Sequence, residues 1–145
     1  MRRRTKSKKK EILKLTVGFL LILLCVAFLS VGKYVYVTSY KITGIDESIS
    51  PNGEYEVLYQ NVGEPDFPFG YAHVRLVLNC KSKTVAKYKF DVANDGCSPT
   101  TEQWKVRWKD DCAEVMISGD EQHDVLYSLY FDGTVKTDNF ETPSD

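Results

Sequence analysis

Histidine is almost missing from this chain. There are two in 145 residues, and His73 and His123 stand too far apart for any familiar metal-ligand spacing. GxSxG, HExxH and CxxC are also missing, which removes the commonest local signatures of a serine hydrolase, a zinc protease and a dithiol redox site. Past residue 33 no stretch shows an apolar period of 3.6, so no amphipathic helix of useful length is expected there. No internal repeat is present, which excludes a solenoid or a propeller ring. Acids are missing from the first fourteen residues apart from Glu11. Long apolar runs are equally scarce, and the chain has one.

That run is Leu15–Val31, LTVGFLLILLCVAFLSV, without charge or proline. With Ile12 and Leu13 before it, about 20 residues can cross the hydrocarbon of a bilayer, and residues 12–32 are expected as a transmembrane helix. Arg2, Arg3, Arg4, Lys6, Lys8, Lys9, Lys10 and Lys14 lie at its N-terminal side, whereas Lys33 alone follows it closely. By the positive-inside rule residues 1–11 form a cytoplasmic tail and the rest of the chain lies outside the cell membrane. A cleaved signal peptide, with Ser30-Val31-Gly32 as its site, is the competing reading, but the apolar core is longer than such a signal needs. Lipidation of Cys25 is disfavoured by Leu24 before it and by its place in mid-span. A buried soluble helix is disfavoured because the run has no polar face.

The formal net charge of −1 conceals a separation of sign. The tail through Lys14 is near +7 and the part from Lys33 onward near −8. An outer domain of that sign should bind no nucleic acid and be repelled by anionic headgroups. The basic tail reads as a topology determinant that also meets anionic lipid of the inner leaflet.

After the anchor about 110 residues remain, enough for one core. Residues 33–49 read as a juxtamembrane connector, whose first part is either a helical extension or a first strand, with Tyr34, Tyr36 and Tyr40 suited to the headgroup interface. From Ser50-Pro51-Asn52-Gly53, a turn, period-two alternation recurs: Tyr55, Val57 and Tyr59; Val74, Leu76 and Leu78; Ala86, Tyr88 and Phe90; Trp104, Val106 and Trp108; Ala113, Val115 and Ile117. Val125–Phe131 is apolar on both faces and so central in its sheet, and Asp132-Gly133 turns the chain into Thr134–Lys136. The expectation is an all-β domain over 50–137, an antiparallel meander of six or seven strands in a sandwich or small open barrel, with a flexible tail at 138–145.

SPNGEYEVLYQ, PFGYAHVRLVL, the W-K-D-D…V-M-I-S-G hairpin and LYFDG carry a resemblance. Together they resemble small single-pass membrane proteins of Gram-positive bacteria, which have a basic tail, one span and an extracytoplasmic β domain opening on a SPDGKY-like turn. The resemblance covers most of residues 50–133. It implies Gram-positive membrane placement and brings no activity, ligand or catalytic residue with it.

Chemistry-bearing residues are few. His73 and His123 read as solvated, and Trp104 and Trp108, alternating with Lys105 and Arg107, as core. Asp91, Asn94, Asp95 and Gly96 superficially resemble a calcium loop but lack its alternate acids and distal Glu. Cys97 has no identifiable base. No metal, cofactor or catalytic residue is therefore expected. Of the outer thiols Cys80, Cys97 and Cys112, a Cys80–Cys112 bridge worth roughly 3–4 kcal/mol and three free thiols are both open.

With the first strand starting at the membrane side, the three longest connections (Asn61–Gly70, Val92–Thr101 and Ser118–Asp124) fall at the membrane-distal end. Their candidate binding residues are Phe67, Phe69, Glu64, Asp66, Asp95, Asp120, Glu121 and Asp124, apolar anchors among acids. Alternatively, Phe67 and Phe69 tuck under their own loop as a lid. The favoured function is a membrane-tethered module binding a protein or envelope ligand. An extracytoplasmic hydrolase using loop carboxylates is the alternative, and a subunit packing through its span overlaps the first.

Overall fold

The computed structural model describes residues 2–66 and 68–139. Phe67 and residues 140–145, most of the tail expected at 138–145, lie outside the described residues. The chain divides into two units, Met1–Tyr36 and Val37–Asp145.

The first unit is helical. α1 runs Arg2–Ser39, and its Lys8–Ser39 portion is long and apolar enough to cross a membrane. The two hydroxyls inside the apolar run return to their own helix: Thr16 donates to the Ile12 carbonyl at 2.6 Å and Ser30 to the Val26 carbonyl at 2.8 Å. Neither then needs a partner from outside.

The second unit is all β. β1 (Ile42–Ile49), β2 (Tyr55–Val62), β3 (Tyr71–Cys80) and β4 (Lys83–Ala93) form one antiparallel sheet in chain order. After a 3-10 turn at Thr101–Gln103, β5 (Trp104–Trp108), β6 (Cys112–Gly119), β7 (Gln122–Tyr130) and β8 (Val135–Asn139) form the second, also in chain order. The alternating apolar positions of both sheets meet in one core. Val57, Tyr59, Leu76, Leu78, Val115, Ile117 and Leu129 are fully buried in it. Each such aliphatic side chain contributes roughly 1.5–3 kcal/mol through lost apolar exposure. Aromatic pairs bridge the sheets, with the rings of Phe90 and Tyr127 4.3 Å apart and those of Tyr59 and Trp104 5.4 Å apart. Trp104 is buried and Trp108 half-buried, as their alternation predicts.

Eight strands occur among the described residues, rather than six or seven. The additional one, β1, lies within 33–49, where a connector was expected; α1 takes the first part of that span and β1 the last. ITGIDESI lacks apolar alternation because most of its side chains are exposed. Distant partners fix it instead. Trp104 Nε1–H donates to Asp46 at 2.9 Å and Trp108 Nε1–H to Ser48 at 3.1 Å.

One extra strand reverses the parity of every connection that follows. The loops after β2, β4 and β6 share the end of the domain at which the chain arrives from Ser39, not the opposite one. The backbone records this: Gly63 N–H donates to the Lys41 carbonyl at 2.7 Å and Glu64 N–H to the Thr38 carbonyl at 2.9 Å. The third of these connections is also shorter than Ser118–Asp124, because Gly119 pairs with Gln122 and leaves only Asp120 and Glu121 between strands. Cys80 and Cys112 fall at the other end, in opposite sheets, and both are free thiols. There Tyr55 of the first sheet stacks on Phe131 at 3.9 Å, holding the sheets together without a bridge.

Candidate functional site

The loop end is built by mutual clasping. Gly96, at φ 69°, donates its N–H to the Gly70 carbonyl at 2.9 Å, tying the second loop to the first. A Cβ at Gly96 would run into the Pro68 carbonyl, so the close approach requires glycine. Gln122 Oε1 accepts from Ala93 N–H at 2.8 Å, and Gln103 Nε2 donates to Asp120 at 3.2 Å and to buried Asn94 at 2.5 Å. These bonds satisfy loop groups that water would otherwise have to serve.

Between β1, the start of the first loop and the segment Ser98–Thr101 lies a cavity of about 530 Å³. Its polar wall includes Lys41, Thr43, Asn61, Glu64, Ser98 and Thr100. Asn61 is the buried member, 8% exposed. Its Nδ2 donates to the Gly63 carbonyl at 2.9 Å, while its Oδ1 has no partner among the described residues. A buried acceptor left in this state is unfavourable by roughly 1–3 kcal/mol.

Beside this end, on the outer face of the first sheet, His73 sits directly opposite Asp91 in the β3–β4 register. Its Nδ1 lies 2.7 Å from Asp91 and its Nε2 3.4 Å from Asp66 of the first loop. The Asp91 hydrogen bond raises the imidazole pKa against partial desolvation, and Asp66 adds to the rise. With a carboxylate on each nitrogen the protonated form is favoured, and in that form the ring is a cation that ties loop to sheet. Within the core, burial pushes the Tyr127 hydroxyl up to about 12 and the Tyr59 hydroxyl higher still, so both stay neutral. No group of three or more His, Cys, Asp or Glu that could hold a metal occurs among the described residues.

The residues singled out from the sequence are distributed as follows. Glu64 lines the cavity, and Asp66 pairs with His73. Phe69 is 74% exposed and does not tuck beneath its loop. Asp95 is exposed at φ 49°, Asp120 is held by Gln103, and Glu121 N–H donates to the Ala93 carbonyl at 3.3 Å. Asp124 belongs to β7 rather than to a loop, and Phe67 lies outside the described residues. The remaining polar wall of the cavity was not singled out, because that wall exists only once β1 is in place. His73 was read as solvated. Counting back along the β3–β4 hairpin from its turn at Lys81-Ser82 would have set it opposite Phe90; the register shift between Leu78 and Asn79 moves it to Asp91.

No protein-family model, no curated protein and no solved structure matches this chain.

Proposed function

We propose that this protein is a membrane-tethered binding module of the cell envelope, holding its β domain outside the membrane to engage a protein or envelope ligand at the loop end. The observation that carries this reading is the cavity at that end, walled by loops clasped to one another and lined by both polar and apolar groups. The charge bias across the apolar run favours a cytoplasmic N-terminus. The likeness of the turn and core motifs to Gram-positive single-pass proteins favours a Gram-positive envelope.

A hydrolytic reading would need a base beside a nucleophile or an activated water. His73, the histidine nearest the loop carboxylates, has both ring nitrogens engaged by aspartates. It serves better as a tie than as a base.

Site-specific photocrosslinking in intact cells tests the binding reading. A photoreactive residue replacing Ser98, on the cavity wall, is expected to give a discrete adduct. The same residue at Lys83, at the opposite end of the domain, should give none. Equal adducts at both places, or none at Ser98 with the protein folded and membrane-bound, would refute it.

A further inference from the structure

We propose that the cavity at the loop end takes a small zwitterion, an α-amino acid or a short peptide, with its ammonium group on Glu64 and Asn61 and its carboxylate on Lys41. This rests on the reading of that cavity as a binding site and specifies what the site selects. Three features of the wall select the class.

The first is charge. Lys41 and Glu64 both line the cavity, and neither makes an ion pair among the described residues. Opposite charges on one wall, not spent on each other, suit a ligand carrying both signs. The second is Asn61. Its Nδ2 is committed to the Gly63 carbonyl, which fixes the amide orientation and leaves Oδ1 as an acceptor without a donor. An ammonium group is a donor with no acceptor function, whereas a carboxylate or phosphate cannot serve an orphaned acceptor. The third is what the wall lacks. No aromatic side chain lines the cavity among the described residues, which offer no platform for a nucleobase or the flat face of a sugar ring. The hydroxyls of Thr43, Ser98, Thr100 and Thr101 can donate or accept and complete the contacts to either ligand end. The volume of about 530 Å³ is within the usual range for a small-molecule site and leaves room for more than one residue.

The test titrates the full-length protein in lipid nanodiscs by calorimetry. The probes are alanine and alanyl-alanine as zwitterions, N-acetylalanine as the anion alone, alaninamide as the cation alone, and N-acetylglucosamine as a neutral polyol. Both zwitterions are expected to bind, and each singly charged probe to bind about tenfold more weakly. Glu64→Gln should cost alaninamide affinity and spare N-acetylalanine, and Lys41→Gln should do the reverse. Both positions are exposed, so neither change threatens folding. Zwitterion affinity unchanged in both variants would overturn the proposal, as would no zwitterion binding at millimolar concentration by a protein with a normal melting curve. Binding of N-acetylglucosamine alone would overturn the ligand class and leave the cavity standing as a binding site. No probe binding, together with no crosslink from Ser98, would overturn both.

Discussion

The indole N–H of Trp104 donates to the carboxylate of Asp46 at 2.9 Å, across 58 residues of chain and from one sheet to the other. Without it β1 has little to hold its side chains, since most of them are exposed. Asp46→Ala leaves a mostly buried indole N–H unpartnered and should lower unfolding free energy by about 1–3 kcal/mol in urea titration. Asp46→Asn keeps an acceptor in place and should recover most of the loss. Equal losses in the two variants would mean that the bond does not hold the strand.

Gly63 stands at φ +78°, and a Cβ there would collide with the Thr38 carbonyl. Gly53 has nearly the same backbone, φ +72°, but open space around it. Gly53→Ala should cost about 1 kcal/mol, the left-handed penalty alone. Gly63→Ala should cost at least about 2 kcal/mol, because the first loop must move off Thr38. The comparison is made on the same denaturant curves, and equal costs would place the whole effect in the backbone angle.

His73 gives the domain a pH signature. The folded chain holds the imidazole proton more tightly than the unfolded one, so the folded state binds more protons between the usual histidine value of about 6.5 and the raised one. The stabilisation is complete below about pH 6.5 and is lost as pH rises through the folded value. The difference in Tm between wild type and His73→Gln should therefore be largest at about pH 6 and shrink toward pH 9. A difference that grows with pH would reverse the assignment. Both carboxylates are well exposed, so the effect should also weaken with added salt.

The thiols should react in the order Cys97, Cys80, Cys112. Cys97 is exposed, Cys80 is half-buried, and Cys112 is buried with its pKa raised first by desolvation and then by Asp111. An impermeant thiol reagent on intact protoplasts should label Cys97 quickly if the domain lies outside, and Cys112 only once the protein is unfolded. Protection of Cys97 until lysis would place the domain inside.

The strands that bury an alternating face were legible in the sequence: β2, β3, β6 and their neighbours announce themselves by Val57, Leu76, Val115 and their partners two residues away. β1 was not, because its place depends on Trp104 and Trp108, and local periodicity carries no record of a partner nearly sixty positions off. That single omission had consequences beyond its own eight residues. It set the loops at the wrong end of the domain and hid the cavity, since Thr43 lines it from β1 and Lys41 from just before it. Glu64 was singled out all the same, as part of an acidic loop, and Asn61 was not, because an orphaned acceptor exists only in three dimensions. The tie of His73 to Asp66 was likewise out of reach, since it needs the first loop folded back over the sheet.

An even number of antiparallel strands brings the chain back to the end where it started, so the start of β1 and the finish of β8 lie at the same end of the domain. This sets how the domain bears a mechanical load. Tension between the N-terminal side of β1 and the C-terminal side of β8 acts across the edge strands rather than along them. Interstrand hydrogen bonds in an antiparallel pair run perpendicular to the strands, so such a pull opens them one after another, as a zipper, and never loads a whole ladder in shear. The domain should yield at low force from its two terminal strands, and the strand that the tryptophans hold is the better secured of the two.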